Sequence, residues 1–172
     1  MFLRKELQEA IENEFIFMVR KNTYSKQKEE GRIYDLYGAD GCAVGDGWYN
    51  VIKEMCREIT QAYVEEGKEI DLIPLQVKSK FARLRVYYCF DGDKPGICAM
   101  DFIGGDELTT VRFTPNETTF RKKITNIIRK YEERSASVCE KCGGEGRVRT
   151  DLPWILTLCD NCYKEKIENR TK

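Results

Sequence analysis

CEKCGGEGRVRTDLPWILTLCDNC, residues 139–162, carries four of the chain's eight cysteines as two C-x2-C pairs separated by sixteen residues. In each pair the backbone must turn back for two sulfurs to converge on one point. Gly143 and Gly144 relieve the tight geometry after Cys142. Residues 147–158 read as two short strands around a turn at Asp151–Pro153, a hairpin. The second pair, CDNC, leads into YKEKIENRTK, a helix-forming stretch whose N-terminus favours thiolate.

Knuckle, hairpin and a helix that bears the last ligands is the order of a treble-clef finger. Tetrahedral zinc needs four soft ligands on two short turns that can face each other, and Cys139, Cys142, Cys159 and Cys162 supply them. Four protein thiolates close the coordination sphere, so the expected Zn²⁺ is structural, not catalytic. A redox dithiol is the alternative, and two pairs at this spacing argue against it.

Working outward, the other 136 residues read as α+β: helices around a small antiparallel sheet, with the finger (137–172) packed on them. Leu3, Leu7, Ile11, Phe15, Met18 and Val19 predict an amphipathic helix over 3–20. A second helix is expected from Trp48 to about Glu66, capped by Asp46 and stopped by Gly67. Residues 82–90, ARLRVYYCF, alternate as a strand. With strands at 97–103 and near 109–114 it suggests an antiparallel meander. Residues 72–77 would add an edge strand, limited by Pro74. A third helix follows, capped by Asn116 and ending near Ser135. Residues 22–47 read as loop, with one short strand possible near 32–37.

Composition excludes several chemistries. The 172 residues contain no histidine, which removes Ser-His-Asp, Cys-His and HExxH mechanisms and the nuclease variant of the finger. Asp91, Asp93, Asp101, Asp106 and Glu107 lie in or beside turn sequences, where aspartate is common without a metal. Cys42, Cys56, Cys89 and Cys98 lack motif spacing and read as small core residues. No phosphate-binding glycine loop is present, so the expectation is a protein without enzymatic activity. The N-terminus shows no signal-peptide pattern and no stretch is long enough to cross a membrane, which predicts a cytoplasmic protein. A formal net charge of zero hides an asymmetry: from residue 121 onward there are 13 basic and 8 acidic residues.

Gly47 and Trp48, then Gln76, Val77, Lys78, Lys80, Phe81, Leu84, Arg85 and Tyr87, then Arg134, Ser135, Cys139, Cys142, Gly143, Gly146, Trp154, Thr157, Leu158 and Cys159 form a pattern over roughly residues 46–165. It resembles a family of small phage and bacterial proteins of uncharacterised activity. These share a Gly-Trp helix start, a QVKxKFGGLRFY strand motif and a C-terminal zinc finger. Here Ala82-Arg83 replaces the family's Gly-Gly, and Cys162 replaces its last histidine. The resemblance implies a phage or prophage origin, hence a host-cell cytoplasm, more than it implies a function.

Lys78, Lys80, Arg83, Arg85 and Tyr87 make the stretch from 76 to 87 cationic and aromatic, and Arg112 would join them if the register allowed. Phosphate contact plus base stacking needs those residue types. The alternative is a solvated sheet face salt-bridged to Asp101 or Glu107. Lys141, Arg147, Arg149, Lys164, Lys166 and Arg170 offer a second basic surface on the finger, with Trp154 expected in the finger core. The leading expectation is a nucleic-acid partner. The rival is a phage counter-defence protein that binds a host protein or sequesters a small anionic nucleotide.

Overall fold

A computed structural model describes residues 1–23, 36–93, 99–104, 107–112 and 118–169; for 99–104 and 107–112 it describes the backbone. The protein is α+β, with a mixed three-stranded sheet and two separate two-stranded hairpins. The helices are α1 (Lys5–Glu14), α2 (Leu36–Asp40), α3 (Tyr49–Glu65), α4 (Thr119–Arg134) and α5 (Asp160–Glu168). The strands are β1 (Cys42–Ala43), β2 (Leu72–Lys80), β3 (Arg83–Phe90), β4 (Ala99–Gly104), β5 (Glu107–Arg112), β6 (Arg147–Arg149) and β7 (Leu156–Leu158).

The central helix, α3, buries Val51, Ile52, Met55, Cys56, Ile59, Ala62 and Tyr63, the 3.6-residue stripe seen in its sequence. It ends as expected at Gly67 (φ +60°), where the Gly67 and Lys68 N–H groups donate back to Val64 O and Tyr63 O. Its start differs from expectation. A single 3-10 turn, Asp46–Trp48, precedes it, and Asp46 makes no cap bond. The Asp46 carboxylate instead accepts the Arg4 N–H at 2.9 Å and pairs with the Arg4 guanidinium. The first helix stops at Glu14, earlier than predicted, because Phe15 is extended (φ −127°, ψ 103°) and a 3-10 turn then buries Phe17 and Met18. Thr118, not Asn116, caps α4: its side chain accepts the Arg121 N–H.

The meander is corrected. Strand β3 pairs with β2, and β4 pairs with β5 as a separate hairpin. The reason lies on the outer edge of β3, whose N–H groups are taken by side chains of α4 and the turn after it. Val86 N–H donates to Glu132 Oε1 and Leu84 N–H to Ser135 Oγ, both at 2.8 Å. The residues expected to form an edge strand, 72–77, begin the middle strand. Pro74 is tolerated because a bulge falls between Pro74 and Gln76. On the other side of β2 lies β1, parallel to it, so the sheet is mixed rather than antiparallel. Gln8 of α1 closes that edge by accepting the Cys42 N–H at 3.0 Å. The strand considered near 32–37 gives way to α2 where the chain is described.

The turn between β2 and β3 has only Phe81 and Ala82, at φ +51° and +58°. Two-residue hairpins use this mirror-image turn, which Asn-Gly satisfies at little cost and an ordinary L-residue does not. Phe81→Asn is therefore expected to raise the unfolding free energy by about 1 kcal/mol in denaturant melts. An unchanged midpoint would show that the turn stores no strain.

Candidate metal centre and cationic hairpin

The finger forms as its sequence suggested. Strands β6 and β7 pair antiparallel, from Arg147 opposite Leu158 to Arg149 opposite Leu156. The four sulfurs of Cys139, Cys142, Cys159 and Cys162 all lie within 4.8 Å of one another. Cys142 Sγ and Cys159 Sγ are 3.7 Å apart, close to the edge of a tetrahedron with ~2.3 Å metal–sulfur bonds. The cluster could bind a metal ion. Gly143 (φ +80°) donates its N–H to Cys139 O, and Gly144 O accepts the Cys139 N–H. Cys159 caps α5, and the Cys162 N–H donates to its sulfur at 3.4 Å. That N–H is the chief cause pulling the Cys159 thiol down to about 7. The apolar support is small: Leu152 and Leu158 are buried beside Cys139 and Cys162.

The knuckle is bonded into the rest of the fold. Gly47 N–H donates to Glu140 O at 2.9 Å, and Trp48 Nε1 donates to Val138 O at 2.7 Å. Trp48 is fully buried. The Glu140 carboxylate, between the first two cysteines, accepts from Ser79 Oγ and from Gly45 N–H. Its burial raises its pKa. Thr157 Oγ1 donates to Ala82 O at 2.7 Å. Spacing alone revealed none of these contacts. Trp48 had been expected only as the start of the second helix and, with Gly47, as part of the resemblance, and Glu140 carried no expectation.

The β2–β3 register gathers the predicted cations. Lys78 lies opposite Arg85, Lys80 opposite Arg83, and Gln76 opposite Tyr87. Alternation places all six on the face turned away from Val77, Val86 and Leu84, which lie in the main core. The Lys78 ammonium sits 5.1 Å from the centre of the Tyr87 ring. The expectation of a solvated face does not hold throughout: Arg85 is 4% exposed, and Cys89 and Ile73 farther along the same face are buried. Arg112 does not join in backbone register, since it pairs with Ala99 in the other hairpin. The side chains of Arg112, Asp101 and Glu107 lie outside the described residues, as do Cys98, Asp106 and Arg170.

Comparison with protein-family models, curated proteins and solved structures finds no match.

Much of the second predicted surface is internally neutralised. Arg147 and Arg149 both pair with Asp160, and Lys141 pairs with Glu165. Arg149 is also buried against the Tyr163 ring. Lys164 and Lys166 make no ion pair among the described residues. Trp154 is corrected outright: it is 81% exposed, because Leu152 and Leu158 fill the small finger core and leave the turn residue outside.

Of the remaining candidates, Asp93, Cys42 and Cys56 hold structure. Asp93 accepts the Phe90 N–H and pairs with Arg121 at 2.9 Å, so its carboxylate is committed to a buried contact. Cys42 and Cys56 are buried, and burial pushes the Cys42 thiol up to about 12. Neither is poised as a nucleophile. Among the described residues, no helix is long and apolar enough to cross a membrane.

Proposed function

We propose that the cysteine cluster holds one structural zinc ion and that the protein is a non-enzymatic, phage-type accessory protein that binds nucleic acid. The all-thiolate donor set, the sulfur spacing and the N–H···S bond suit zinc and leave no open coordination position for chemistry. The observation that carries the nucleic-acid reading is the β2–β3 register, with two pairs of like charges set directly across the strands. That register concentrates positive charge along one face of the hairpin. A polyanion laid along the hairpin meets Lys78, Lys80 and Arg83, the half-buried cations of the four, and Tyr87 beside them suits a sugar or base.

The test is a labelled-oligonucleotide shift at ~50 and ~200 mM salt. Wild-type affinity is expected to fall steeply across that range. Lys78→Glu with Lys80→Glu is expected to abolish the shift at the higher salt and flatten the salt slope by about 2. Absence of any shift at low salt would sink the reading. Saturable one-to-one binding of a small nucleotide with little salt dependence would support the sequestering alternative instead.

A further inference from the structure

We propose that the groove between the Phe81–Ala82 turn and the β6–β7 turn takes unpaired bases of a single-stranded nucleic acid, with the Trp154 indole as stacking platform. The inference rests on the nucleic-acid reading and narrows it to strands whose bases are free to leave their own stack.

Three observations converge on this groove. The first is Trp154 itself. An indole 81% exposed on a described turn has left the finger core, and no hydrogen bond or ring contact of Trp154 is found among the described residues. The second is the hollow beside it, of about 690 Å³, lined by Phe81, Trp154, Ile155 and Leu156 together with Lys80 and Lys166, the Lys80 ammonium lying 5.5 Å from the centre of the Phe81 ring. A second hollow of about 570 Å³ shares Trp154, Leu156 and Lys166 and extends to Lys141. The third is the backbone of Phe81. Its left-handed conformation holds the ring 40% exposed at the groove wall, on a turn pinned by the Thr157–Ala82 hydrogen bond. The two-residue hairpin dictates the conformation, but Phe81 is a costly residue to keep there, and its ring is left exposed at the groove wall.

The chemistry fits a single strand. Every base has a flat face that an indole or phenyl ring can cover, and lysines beside the ring follow the phosphates. A duplex hides those faces. An acidic peptide would meet the same lysines, but it offers no flat face to Trp154. The acid that lines the groove, Glu140, is already bonded to Ser79 and Gly45.

The molecule carries its own reporter. Trp48 is fully buried, so the fluorescence open to acrylamide belongs to Trp154. With the full-length protein, a dT12 single strand is expected to quench that emission and shield it from acrylamide. A 12-base-pair duplex is expected to bind without doing so. Trp154→Ala is expected to weaken dT12 binding at least roughly tenfold, leave duplex binding and the unfolding temperature unchanged, and be largely rescued by Trp154→Phe. Equal effects of dT12 and duplex on the emission, or unchanged dT12 affinity in Trp154→Ala, would overturn the inference while the nucleic-acid reading stands. No binding of either oligonucleotide at low salt would overturn that reading and the inference with it. Quenching by poly-glutamate as strong as by dT12 would show a peptide groove and overturn the inference alone.

Discussion

Cys159→Ser is expected to unfold the finger and to weaken the whole protein, with chelation of the metal doing the same to wild type. Cys159 has two tasks in the fold: it is one of four clustered sulfurs, and it caps α5 through the Cys162 N–H. Leu152 and Leu158 are too little apolar mass to hold a finger of this size without the metal. Structural zinc typically contributes on the order of 10 kcal/mol, and that binding energy is folding energy. The effect should reach the rest of the chain, because Trp48, Gly47, Ser79 and Ala82 all bond to the finger. The measurement is one zinc per chain by elemental analysis, followed by thermal unfolding at several zinc concentrations. Apparent stability should rise by about 1.4 kcal/mol per tenfold free zinc above the dissociation constant. A protein purified without metal, with an unfolding temperature indifferent to chelator, would refute the assignment.

The second large effect falls outside the cysteines. Gly47→Ala is expected to cost about 3 kcal/mol or more and to loosen metal binding. A Cβ on Gly47 would lie 2.1 Å from Cys139 O, 2.5 Å from Gly143 N and 2.8 Å from Cys142 N. All three are backbone atoms of the knuckle, so no side chain can rotate away. Gly144→Ala is the matched control: its Cβ would meet only Cys142 Sγ, at an ordinary 3.6 Å. It is expected to stay within about 1 kcal/mol of wild type. Equal denaturant midpoints for the two variants would mean that Gly47 is not where the finger docks.

Periodicity and spacing made the local structure legible. The four-cysteine cluster, the finger hairpin, α3 with its glycine stop and the β3 alternation could be read because each depends on short-range spacing. Pairing was less legible. Pro74 argued for an edge, yet the bulge beside it lets β2 sit in the middle, and the acceptors that occupy the β3 edge come from Glu132 and Ser135 far along the chain. Caps failed for a similar reason: Asp46 has the right chemistry, but Arg4 claims it. The candidate site was half visible. The cations of the hairpin could be named, but only the register shows which face which. Trp154 was misplaced because an aromatic beside a small core reads as part of that core until the core's volume is known.

The dock between knuckle and sheet also bears on the order of events during synthesis. Trp48 and Gly45 find their partners at Val138 and Glu140, 90 and 95 residues further on. As the chain is made, its first 137 residues are present before the groups that receive those N–H donors exist. Closing such distant contacts is the slow part of folding. The four cysteines, by contrast, lie within 24 residues of one another in sequence. On the proposed zinc site, the ion is then less a clamp on a finished fold than the means by which the segment from Val138 onward takes the shape that receives Trp48 and Gly45.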